Sequence, residues 1–125
     1  METTISTPYL KLKINNSEEF DDLVLNKDIR ISNSIVNNII NNLKNNILKI
    51  KVLELEFLEY RTILDVFVSR EDFHHSLNQN LIIHESNELY EECIKIKEAI
   101  EFIESNPEKF GIVNNFSYFH NKVKE

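Results

Sequence analysis

Apolar residues recur along this chain with two periods, and the switches between them mark out its elements. Residues 9–14, Y-L-K-L-K-I, alternate, so Leu10, Leu12 and Ile14 can face a core with Lys11 and Lys13 outside, which predicts a first strand. Ser17 is a cap residue followed by the first-turn acids Glu18 and Glu19, and Phe20, Leu23 and Val24 fall at helical spacing, so a short helix is expected from about 17 to 25. Ile29 to Ile31 read as a brief strand. From Ser32 a four-residue pattern sets in, with Ile35, Ile39 and Leu43 on one stripe, Val36 and Ile40 beside them, and the asparagines opposite. Asparagine is a poor helix former, so this second helix must depend on docking its isoleucine face.

Residues 47–58, I-L-K-I-K-V-L-E-L-E-F-L, alternate again, but the phase slips midway. Leu48, Ile50 and Val52 share one parity, while Leu53, Leu55 and Phe57 share the other. One extra residue near Val52 or Leu53 keeps all six on one face, which predicts a β-bulge, with Lys49, Lys51, Glu54 and Glu56 on the opposite face. Residues 62–68 form a matching strand with Leu64, Val66 and Val68 inward and Asp65 outward, joined to the previous strand as an antiparallel hairpin. The turn around Glu59 to Arg61 lacks an Asn-Gly or Asp-Gly signal, so its type is not readable.

Ser69 can cap a helix carrying Phe73, Leu77 and Leu81. A corner at His84 to Asn87 then leads into a helix of about 87 to 105, giving an αα-hairpin. Leu89, Cys93, Ile96, Ile100 and Ile103 make its inner stripe, and Glu91, Glu92, Lys95, Glu98 and Glu101 fall largely on its wet side. Asn106-Pro107 ends it, and Phe110, Phe116, Tyr118 and Phe119 are expected to fold back onto the core. Strands followed by helices predict a single α+β domain over residues 1–125: a small antiparallel sheet with N-terminal helices and a C-terminal αα-hairpin packed on it.

Composition supports a globular chain, at 42% hydrophobic and 28% charged residues. The net charge of −7 is uneven. Residues 1–50 hold six acids and six bases, and residues 51–125 hold fifteen acids and eight bases, so the whole excess lies in the second part. Such a surface repels a phosphate backbone and favours a basic protein partner, making nucleic acid a poor general ligand. Cys93 is the one cysteine, which excludes an internal disulfide and fits a buried thiol in a reducing compartment. The start METTISTPYL resembles no secretory leader and no stretch is long enough to span a membrane, so the cytoplasm is expected, the host's if the source is viral. Abundant asparagine, isoleucine and lysine reflect AT-rich codons and fit a low-GC bacterium, its phages, or an AT-rich eukaryote or virus.

Candidate chemistry is sparse. His74 and His75 are adjacent and cannot share a metal as an i, i+4 pair does, and His84 with Glu88 lacks a third strong ligand. Glu54 and Glu56, with Asp65 across from them, read as a solvated face. Gly111 is the sole glycine, so there is no phosphate-binding loop, and no catalytic residue, metal or cofactor is expected. The alternative ligand site is the set Lys11, Lys13, Lys49 and Lys51, which with Tyr9 or Tyr60 could hold a nucleotide or single-stranded nucleic acid.

The order Tyr90-Glu91, small Cys93, Lys97-Glu98 and Ile100 resembles the UVR motif, a short helical hairpin of nucleotide-excision-repair proteins and some protease regulators. Ile94 stands where that family has a second small residue, Lys97 where arginine is usual, and His84-Glu85 in place of the small pair of the first helix. The resemblance spans at most residues 71–103 and implies protein–protein contact without an activity. The expectation is a small acidic, non-enzymatic accessory factor or inhibitor, bacterial or phage-borne, whose partner surface is Glu91, Glu92, Lys95, Glu98 and Glu101. A structural subunit or homo-oligomer is the remaining class.

Overall fold

The computed structural model describes residues 8–111. Its elements are β1 (Leu10–Ile14), α1 (Ser17–Leu25), α2 (Ile29–Asn41), β2 (Lys49–Phe57), β3 (Thr62–Ser69), α3 (Phe73–Ser86) and α4 (Tyr90–Ser105), with 3-10 turns at Arg70–Asp72 and Pro107–Phe110. The fold is α+β, with helices packed on a three-stranded sheet of order β1-β2-β3. The sheet is mixed, whereas an all-antiparallel one was expected. β2 and β3 pair antiparallel as a hairpin, but β1 runs parallel to β2, from Leu10 opposite Leu53 to Ile14 opposite Phe57. Two helices separate β1 from β2, and a crossover of that length returns the chain in the same direction.

The bulge lies where the alternation slips. Lys51 pairs with Phe67 and Leu53 with Val66, so Val52 is the extra residue. Ile50, Val52, Leu53, Leu55 and Phe57 are all buried as a result. A bulge frees backbone groups, and here the Val52 carbonyl accepts the Ser34 hydroxyl of α2 at 2.6 Å. The Ser34 Oγ in turn accepts the Leu10 amide at 3.0 Å, so one serine ties α2 to both β1 and β2. Leu48 departs from the expected set: it precedes the strand and is 82% exposed.

Two expectations in the N-terminal half change. Ile29 to Ile31 form the first turn of α2 instead of a strand, because the Asp28 carboxylate caps that helix by accepting the Arg30 amide at 2.9 Å. The Arg30 side chain bonds back to the same carboxylate and holds it below its ordinary range. α1 is capped by Asn16 rather than by Ser17, its side chain accepting the Glu19 amide at 3.0 Å. α2 is also wider in its burial than one stripe. Asn38 and Asn42, expected on the wet side, are buried because α2 packs on β2 and on α3 at once. Among the described residues no buried side-chain nitrogen or oxygen is left without a partner.

Among the described residues all four α-helices end on an asparagine, namely Asn26, Asn42, Asn87 and Asn106. In the last three, the side-chain amide donates to the carbonyl four residues back at 2.8 Å, satisfying a group that the helix end leaves open. With Gly111, at φ 68°, the sole glycine, the other left-handed positions among the described residues fall to Lys27, Arg61 and Glu88. Arg61, at φ 52°, lies at the end of the β2–β3 turn, which is why no glycine signal announced it.

α3 runs through His84, so the corner lies three residues later than expected, at 87–89. Cys93, Ile96, Ile100 and Ile103 of α4 are buried with Phe73 and Leu77 of α3. Arg70 fixes the far end: its guanidinium donates to the carbonyls of Asn45 (2.7 Å) and Lys109 and lies 4.2 Å from the Phe110 ring centroid. Phe110 is buried as expected, while Phe116, Tyr118 and Phe119 lie outside the described residues. No helix of the described residues is long and apolar enough to cross a membrane.

Candidate functional site

The outward surface of α4 divides the five residues assigned to it. Glu91, Glu98 and Glu101 are exposed and, at spacings of seven and three, share one stripe. Ile94 falls on that stripe and Tyr90 stands one turn before it; they are 57% and 64% exposed. Two large apolar side chains at i, i+4 therefore sit in water, with three carboxylates beside them. Glu92 and Lys95 turn the other way, lining a cleft of about 290 Å³ against Asn33, Val36 and Asn37 of α2. Lys97 approaches Glu85 of α3 at 3.9 Å, an exposed contact of little energetic weight. The exposed apolar pair could not be foreseen from periodicity, since an isoleucine next to a core stripe reads as its shoulder.

The outer sheet face does gather Lys11, Lys13, Lys49 and Lys51. It does not leave them unopposed. The register sets Lys11 beside Glu54 and Lys13 beside Glu56. Lys51 stands between two carboxylates, 2.9 Å from Asp65 and 2.9 Å from Glu54, and donates to the Tyr9 hydroxyl at 3.3 Å. The hydrogen bonds to Asp65, then Glu54, raise its ammonium well above the ordinary lysine range. The Lys51 ammonium also lies 4.3 Å from the Tyr9 ring centroid, and that of Lys49 lies 4.7 Å from the Phe67 centroid. The face alternates in sign, and its aromatic rings are already occupied by lysines.

The histidines are placed differently from expectation. His74 contacts Glu104 at 2.9 Å across the hairpin and His75 is exposed. His84 is completely buried, on the core side of α3 rather than at a corner with Glu88. Its Nδ1–H donates to the Asn80 carbonyl at 2.9 Å, with the Ser32 hydroxyl 3.2 Å away, and its Nε2 lies 2.9 Å from Asn33 Oδ1. The Ser32 hydroxyl itself donates to Asn80 Oδ1 at 2.7 Å. A serine and a histidine in contact invite a nucleophile–base reading, but here the serine proton points at an amide oxygen and the serine is buried. The cluster is a polar lock between α2 and α3. Ser32 and His84 are too far apart in sequence for spacing to reveal it.

Cys93 is a free thiol on the inner stripe, and burial, followed by the nearby Glu85 carboxylate, pushes its pKa up. A thiol so held is a poor nucleophile at neutral pH. Alkylation of the native protein should accordingly be slow and become fast only in denaturant. Rapid labelling of the folded chain would contradict the buried placement.

A groove that the sequence did not announce opens on the inner side of the sheet. It measures about 500 Å³ and is largely apolar, with Phe20 and Val24 of α1, Ile35 of α2, Ile82 and Ile83 of α3, and Val66 of β3 in its walls. Compared with known proteins, the chain matches no family model, no curated protein and no solved structure.

Proposed function

We propose that the chain is a small, non-enzymatic binding protein, an accessory factor or inhibitor, whose α4 surface docks a basic protein partner. The observation that carries this reading is the Tyr90–Ile94 pair, exposed alongside Glu91, Glu98 and Glu101 on the outer surface of α4. An apolar centre with a charged rim is how interfaces divide their labour: the centre supplies affinity, and the rim supplies encounter rate and partner choice. The similarity of the hairpin to the UVR motif adds the same expectation of contact without turnover. A buried, unreactive thiol fits a reducing compartment, and we place the protein in the cytoplasm. The sign-alternating lysine face supports nucleic-acid binding less well, since phosphate contacts at Lys11, Lys13 and Lys51 would compete with neighbouring carboxylates.

The test compares two baits in a pull-down from the native host: the native chain, and a variant carrying Glu91→Lys, Glu98→Lys, Glu101→Lys and Ile94→Ala. These positions are exposed, so the variant should keep its circular dichroism spectrum and melting temperature. Partners captured by the native bait should be lost, with affinity falling on the order of tenfold or more and the loss steepest at low salt. Identical captures, or affinities that do not differ at low salt, would remove α4 as the partner surface.

A further inference from the structure

The two edges of the sheet are unlike. β1 is five residues long and carries Lys11 and Lys13 on its outer side, the kind of short, charged strand that discourages further pairing. β3 is eight residues long, and its one charge, Asp65, is bound to Lys51. The principal contacts of β3 are with β2 alone, because the helices pack over β1 and β2 and leave β3 beyond the covered area. Ile63, Leu64 and Phe67 are in consequence 60%, 49% and 45% exposed, on both faces of one strand. An unguarded apolar edge of this length is a template for another strand.

We propose that β3 pairs antiparallel with the β3 of a second copy of this chain, making a two-fold dimer with a continuous six-stranded sheet. The choice of a second copy rests on charge. Each chain carries −7, so two copies repel over most of their surface and meet most readily where neither presents net charge; at the β3 strip Lys51, shared by Glu54 and Asp65, and Lys49 over Phe67 together balance the two carboxylates. Strand symmetry then selects the register. A dyad normal to the sheet, which keeps both helical layers on one side, pairs residues of equal parity. Centring it on Asp65 would set two carboxylates face to face. Centring it on Val66 sets Val66 against itself, Leu64 against the partner's Val68, and Asp65 against the partner's Phe67. Val66 also lines the apolar groove, so this dyad brings both grooves to the same side of the joint sheet and covers the apolar side chains at their mouths.

The direct measurement is the solution mass of the full chain by light scattering or sedimentation across the micromolar range, expected at twice that of one chain. Ile63→Lys with Leu64→Lys adds two charges to exposed positions and should give a folded monomer, while Leu48→Lys, at an exposed site off this strip, should remain a dimer. Val66→Cys should form an interchain disulfide under mild oxidation, since residues facing each other across an antiparallel pair have the Cα separation a disulfide needs. A native chain that stays monomeric overturns the proposal. So does a folded Ile63→Lys/Leu64→Lys variant that still dimerises, or a dimeric Val66→Cys chain that does not cross-link. The α4 variant described above should leave the mass unchanged, which keeps this assignment separate from the partner surface.

Discussion

Phe73→Ala should destabilise the chain by about 3–5 kcal/mol, the range for removing a fully buried aromatic ring. Phe73 opens α3 with no exposed surface, and its ring lies 6.2 Å from that of Phe110, which in turn lies 6.2 Å from that of Phe102. Phe110, whose ring lies 4.2 Å from the Arg70 guanidinium, is itself held in place and so is restrained from moving into the cavity left behind. A domain of this size has about 5–15 kcal/mol to lose, so the substitution removes a large fraction of its stability. Urea titration followed by circular dichroism measures the loss as a fall in midpoint at unchanged slope. A loss under about 1 kcal/mol would mean that the C-terminal turn does not close this end of the core.

His84→Ala should cost about 2–4 kcal/mol, and for a different reason. Truncation removes an imidazole that meets Asn80, Ser32 and Asn33, so it leaves buried polar groups without their partner besides opening a cavity. Ser32→Ala should cost about 1–3 kcal/mol, because Asn80 Oδ1 then loses the donor it holds at 2.7 Å. The informative quantity is their coupling. Members of one network should combine with less than the sum of the single losses, whereas strictly additive values would show that His84 and Ser32 act as separate core residues.

Much of the sheet could be read from the sequence because alternation is a local signal. The slip between Val52 and Leu53 locates the bulge, and the same parity puts four lysines on one face. Strand direction has no such signature in side chains. It resides in the connection, and the two helices between β1 and β2 were the clue to the parallel pairing. The start of α2 was misread because Ile29 and Ile31 also fit alternation, while the deciding residue was the cap Asp28 just before them. Asn38 and Asn42 were placed in water since a stripe argument assumes one packing partner, and α2 has two. The binding surfaces were least legible. Ile94 and Tyr90 on α4, and Ile63 and Phe67 on β3, are apolar residues whose pattern suits burial, and only the placement of the other elements shows what was left uncovered.

The asparagines that end the helices bear on how the molecule ages. Asparagine hydrolyses slowly to aspartate, a nearly isosteric change that ordinary packing would scarcely register. At Asn42, Asn87 and Asn106 the amide nitrogen lost would be the one donating to a carbonyl at 2.8 Å. Its replacement is a carboxylate oxygen aimed at another acceptor, with a negative charge added at the helix C-terminus, where the macrodipole already disfavours it. An acidic chain gains further charge with each event. Direct amide hydrolysis, nearly silent in shape, would thereby be converted into fraying at these helix ends, and the chemical lifetime of three amides becomes part of the lifetime of the fold.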